Sequence, residues 1–91
     1  ENPKQFVGTY TGYSEQFNNQ TKSITITFQN NQLNYCIDGY CEPIFYMGNN
    51  KFWLKSFPFD FIEFQISEKG VSKALREYYY GFFQVLRKKT N

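Results

Sequence analysis

The residues best spaced for chemistry are Cys36 and Cys41, which bracket an Asp-Gly pair in Tyr35-Cys36-Ile37-Asp38-Gly39-Tyr40-Cys41. Asp-Gly favours a two-residue hairpin loop, which would set Ile37 opposite Tyr40 and Cys36 opposite Cys41. The cysteines then occupy a non-hydrogen-bonded pair, whose Cα atoms lie about 4.5 Å apart, within the span of a disulfide. A cross-strand disulfide is therefore expected, and with it an oxidising, secreted or periplasmic compartment. Two reduced, packed thiols are the alternative. A zinc site would need carboxylates to complete it, because the chain has no histidine and only these two cysteines. A redox pair would have C-x-x-C spacing at a helix start rather than four residues within a hairpin. Chain entropy over so short a loop suggests a local clamp giving about 2 kcal/mol.

Other chemistry finds little support. The absence of histidine removes the commonest general base. Glu15, Asp38, Glu42, Asp60, Glu63, Glu68 and Glu77 fall mostly in expected turns or beside exposed positions and read as solvated charges. Asp60 and Glu63 are three apart in an apparent strand and would point to opposite faces, so they make no acid/base pair there. Gly8-Thr9-Tyr10-Thr11-Gly12 has two glycines, but no helix follows to form a phosphate loop. The expectation is a non-enzymatic chain with no cofactor and no metal.

The elements that would carry these residues are strands. Eleven Phe, eight Tyr and one Trp stand beside a single Ala and a single Met, a bulky aromatic composition that favours strands over helices. Ninety-one residues suit a single domain over 1–91. Period-two alternation predicts strands at Gln5–Tyr13, Lys22–Gln29, Leu33–Ile37, Cys41–Met47, Lys51–Lys55, Phe59–Ser67, Val71–Tyr79 and Phe82–Lys88. Turns are expected at Asn30-Asn31, Gly48-Asn49-Asn50 and Glu68-Lys69-Gly70, with a polar loop at Ser14–Thr21 and a bend near Tyr80-Gly81. Ile24, Ile26 and Phe28 share one face of their strand. Pro43 should place its strand at an edge or interrupt it, and Pro58 interrupts the chain before Phe59. Ser72–Tyr80 is the best helical candidate, but its three consecutive tyrosines favour a strand. The fold class expected is all-β: a small antiparallel meander of about eight strands, closing into a barrel or half-barrel. Asn19 heads an N-x-T sequon. No stretch approaches the ~18 apolar residues of a membrane span, and Glu1-Asn2-Pro3-Lys4 has no hydrophobic signal core, so an export signal would already have been removed.

Several short motifs carry a resemblance: Phe6-Val7-Gly8-Thr9-Tyr10, Ile24-Thr25-Ile26-Thr27, Asn31-Gln32-Leu33, Gly48 through Phe52, Ile62-Glu63-Phe64, Gly70-Val71 and a final strand ending in Arg87. In these the chain resembles the small β domain of uncharacterised function found C-terminal to serine β-lactamase-like, penicillin-binding-protein-like catalytic domains. The resemblance implies a compact, lipocalin-like antiparallel barrel in an accessory role. Catalysis does not carry over, because the Ser-x-x-Lys of the catalytic partners is missing: Ser14, Ser23, Ser56, Ser67 and Ser72 are followed three residues later by Phe17, Ile26, Phe59, Gly70 and Leu75.

Three kinds of binding are compatible with such a domain. A protein partner, or an upstream catalytic domain, could dock on Trp53, Tyr78, Tyr79 and Tyr80, residue types that anchor interfaces. At least half of these aromatics would instead be expected to complete the core. A lipocalin-like barrel could also carry one small apolar ligand, although so many Phe residues favour a filled interior. Single-stranded nucleic acid is disfavoured, because a net charge of +2 supplies no basic stripe.

Overall fold

The computed structural model describes residues 3–14, 20–55, 61–79 and 82–89. Among the described residues, nine antiparallel strands form one sheet: β1 (Gly8–Ser14), β2 (Gln20–Gln29), β3 (Gln32–Ile37), β4 (Tyr40–Pro43), β5 (Phe45–Gly48), β6 (Lys51–Trp53), β7 (Phe61–Ile66), β8 (Ser72–Tyr79) and β9 (Phe82–Lys88). Their order is β4-β3-β2-β1-β9-β8-β7-β6-β5. Every neighbour but one is a sequence neighbour; the exception, β1 with β9, joins the first and last strands through Tyr10↔Lys88 and Thr11↔Arg87. The two outermost strands, β4 and β5, are separated only by Ile44. The sheet is thus a nearly closed all-β barrel whose eight walls are the eight expected strands, one of them bent.

The bend is at Pro43. β4 pairs with β3 as far as Asn34↔Pro43, the Ile44 N–H donates to the Leu33 carbonyl at 3.0 Å, and from Phe45 onward the chain pairs with β6 instead. A proline has no N–H to continue a ladder, so the strand changes partner where the ladder is already weakened.

Three hairpins close on two-residue loops with positive φ at both positions: Asn30-Asn31, Asp38-Gly39 and Asn49-Asn50. This is the turn whose twist matches that of paired strands, and Asn, Asp and Gly tolerate it best. Asp38-Gly39 aligns Cys36 with Cys41, their Cα atoms are 4.0 Å apart, and the disulfide forms.

Two sequence expectations are corrected at the first strand. Pro3–Phe6 is a 3₁₀ turn rather than the start of β1, with proline at its first position and Val7 N–H donating to the Lys4 carbonyl. Its Phe6 turns inward and packs on Phe64 (centroids 4.7 Å apart) and Phe52 (5.2 Å), helping to plug one end of the barrel. At the other end, Ser14 and Gln20 pair as strand residues although both were expected in the loop. Ser72–Tyr79 is a strand, as its tyrosines suggested. The Asn19 sequon, Glu15, Pro58, Asp60 and the Tyr80-Gly81 bend lie outside the described residues.

Alternation fills the bore. Tyr10, Ile24, Ile26, Ile62, Phe64, Leu75 and Leu86 are buried there, with Phe6 and Phe52 toward the plugged end. β1 and β9 approach closely at Gly12, where a Cβ would stand 2.4 Å from the Val85 carbonyl oxygen and 2.7 Å from Leu86 Cδ2.

Candidate functional site

The barrel positions three groups of residues that could support function: one inside, one outside and one at the bend.

Inside, Glu77 is fully buried, and its carboxylate collects three donors: Lys22 Nζ at 2.9 Å and Gln84 Nε2 at 2.8 Å on Oε1, and the Tyr35 hydroxyl at 2.5 Å on Oε2. Lys22 is only 3% exposed. This corrects the expectation of solvated acids, as does Glu42, which is also buried. The signal was present in the strand phase. Lys22 has the parity of Ile24 and Ile26, Glu77 that of Leu75, and Gln84 that of Leu86, so period two carries all three polar side chains inward. Both oxygens of the buried carboxylate are thus occupied by donors. A second buried polar group lies nearer the plug, where the Tyr10 hydroxyl donates to the Phe6 carbonyl at 2.7 Å and lies 2.8 Å from Ser72 Oγ. Burial pushes the Tyr10 phenol up to about 12, an effect that the Ser72 hydrogen bond partly opposes.

Outside, aromatic residues form a row across five strands. Pairing sets Phe45 opposite Trp53, Phe61 opposite Tyr78 and Tyr78 opposite Phe83, and the β6–β7 register continued by one residue sets Trp53 opposite Phe61. The rings pack on one another: Phe45 and Trp53 at 4.7 Å, Phe61 and Tyr78 stacked at 4.4 Å, Tyr78 and Phe83 at 5.3 Å. Lys51 lies over Phe61 and Arg76 over Phe83. Tyr78 donates to Glu63 at 2.9 Å, and Arg76 Nη1 stands 4.0 Å from the same carboxylate oxygen. Trp53 is 40% exposed and Phe83 47%. Two of the four aromatics singled out by sequence, Trp53 and Tyr78, therefore belong to one row. Tyr79 is the next residue of β8, paired with Phe82, and Tyr80 lies outside the described residues. Phe45, Phe61 and Phe83 were missed because only the register brings them together.

The other half of the exterior differs. On β1 and β2, hydroxyl residues face one another, with Thr9 and Thr25 oxygens 3.3 Å apart and those of Thr11 and Ser23 3.2 Å apart.

At the bend, an open cleft of about 570 Å³ is lined by Phe6, Phe28, Leu33, Ile44, Tyr46 and Phe52, with Asn31 and Gln32 among its polar members. Gln32 Nε2 donates to two main-chain carbonyls, Leu33 at 2.8 Å and Ile44 at 3.0 Å, and so bridges the two sides of the bend.

No protein-family model, curated protein or solved structure matches this chain. Among the described residues no cluster of Cys, Asp and Glu could hold a metal ion.

Proposed function

We propose that this chain is a non-catalytic, secreted or periplasmic binding domain that docks a protein partner on the outer aromatic row of β5–β9. The observation that carries this reading is the row itself. Phe45, Trp53, Phe61, Tyr78 and Phe83 are brought to one face by register alone, while β1 and β2 carry paired hydroxyls on theirs. Contiguous apolar surface of this kind, rimmed by polar groups, marks interaction sites. The rings stack side against side and two are covered by cations, so they offer a ridge for apolar protein groups rather than ring faces for bases to stack on. Among the described residues, Lys51 and Arg76 lie over rings of the row and Glu63 is the carboxylate beside it, which suits a partner whose apolar patch is bordered by carboxylates. The resemblance to β-lactamase-associated accessory domains suggests that the partner is a catalytic domain of that type, and the disulfide suits an oxidising compartment.

The test places a photo-crosslinking phenylalanine at Trp53, at Phe83 or at Thr25 and irradiates the source cells. Adducts with one common polypeptide from the first two positions, and none from Thr25 on the hydroxyl half, are expected. No adduct from either aromatic position, or equal adducts from all three, would refute the reading.

A further inference from the structure

The cleft at the bend suits a ligand different from anything that would cover the outer row. Two residues before Tyr46, the Ile44 N–H faces β3 and donates to Leu33. By strand alternation the main-chain groups of Tyr46 face the same side, but there β3 has given way to the Asn30-Asn31 turn. The barrel wall therefore opens below Ile44. Tyr46 pairs with the buried Phe52 and belongs to the inner face, yet it is 52% exposed because nothing of β3 reaches down to cover it. A chain of aromatic contacts leads from the core to this opening: Phe64 to Phe6, Phe6 to Phe52 and Phe52 to Tyr46, the last at 5.3 Å. Phe28, half-buried on the inner face of β2, completes the far wall.

The polar groups at the opening are few and one is held by hydrogen bonds. Both hydrogen bonds of Gln32 Nε2 are directed at main-chain carbonyls, which orients the amide and leaves Oε1 as its acceptor. A volume of about 570 Å³, aromatic walls and a small number of oriented polar groups are the attributes of a small-molecule site. An added strand fits less well. β5 is four residues long and its ladder is broken by a bulge between Tyr46 and Gly48, so little more than Tyr46 could pair with an incoming backbone.

We infer that the cleft between the Asn30-Asn31 turn and β5 binds a flat aromatic molecule of about two fused rings that carries one hydrogen-bond donor. The ring system continues the aromatic chain between Phe28 and Tyr46, and the donor meets Gln32. The site is reached through the side of the barrel, whereas the bore is filled by Tyr10, Phe64, Leu75 and Leu86.

The probe is 2-naphthol, added to ¹⁵N-labelled protein while amide shifts are followed, with naphthalene as the analogue lacking the donor. Saturable shifts at Gln32, Leu33, Ile44, Phe45 and Tyr46 are expected, with a dissociation constant below about a millimolar. Naphthalene should bind roughly threefold or more weakly, since its partner at Gln32 is lost. Tyr46→Ser should keep the dispersed amide spectrum of the folded barrel and weaken 2-naphthol about fivefold or more. Thr25→Ala, outside the cleft lining, should leave the 2-naphthol affinity unchanged. Shifts centred on Trp53 and Phe83, no saturation, or full affinity in Tyr46→Ser would overturn the proposal. So would binding of an extended Thr-Val-Thr-Val peptide in place of 2-naphthol, which would make the cleft a strand-docking edge.

Discussion

At the residue scale the most consequential side chain is Glu77, and sequence reading misplaced it. A charge in a strand of tyrosines looks like a surface charge until its phase is compared with Leu75, after which it belongs to the barrel interior with Lys22, Tyr35 and Gln84. Burial of such an ion pair does not by itself guarantee stability, but removing one partner strands the other in a medium that solvates it poorly. Glu77→Leu is accordingly expected to lower unfolding free energy by about 3–5 kcal/mol in urea titrations. Lys22→Met should cost less, because Tyr35 and Gln84 still hold the carboxylate. Tyr10 makes a different prediction. Its folded-state pKa is raised, so the folded protein favours the neutral phenol. The stabilisation this gives is complete below pH about 10 and is lost as pH rises through about 12. Denaturant midpoints should fall over that window. In Tyr10→Phe, which loses the hydrogen bond to Phe6, the fall should be shallower.

At the scale of the element, the disulfide hairpin followed from local chemistry. Asp38-Gly39 adopts the positive φ values that its residue types favour, and the pairing of Cys36 with Cys41 follows from that turn. Intact mass without reductant should be about 2 Da below the reduced value, the loss of two hydrogens on forming one bond. Because the turn already aligns the strands, the Cys36→Ser/Cys41→Ser double variant should remain folded, with unfolding free energy lower by about 2 kcal/mol or less. The first strand shows where local reading ends. Gln5 and Phe6 alternate plausibly with the residues that follow, but Pro3 supplies the φ of a 3₁₀ turn, and Phe6 is worth more as a plug against Phe52 and Phe64 than as a strand residue. Pro43 predicts an edge or an interruption. It is both, since the strand leaves β3 there and takes β6 as its new partner.

At the scale of the whole molecule, the barrel depends on one long-range closure between β1 and β9. Tyr10↔Lys88 and Thr11↔Arg87 are in register there, joined by the Lys89 N–H donating to the Thr9 carbonyl at 2.8 Å. Gly12 permits this close approach, and a methyl group there would collide with backbone of β9. Gly12→Ala should therefore cost about 1–3 kcal/mol, the usual range for overpacking, measured by denaturant unfolding. Hydrogen exchange offers a complementary view: Leu86 and Arg87 amides should exchange only on global opening, and Tyr46, at the open bend, much sooner.

Alternation, turn residues and cysteine spacing were enough to establish an all-β meander, its hairpins and its disulfide, because each rests on neighbours a few residues apart. The aromatic row, the Glu77 cluster and the cleft were hidden from that reading. Each joins residues from strands distant in the chain, and which side chains meet depends on strand register, on the partner change at Pro43 and on closure of the barrel. Those are decided only when the whole sheet packs around one core.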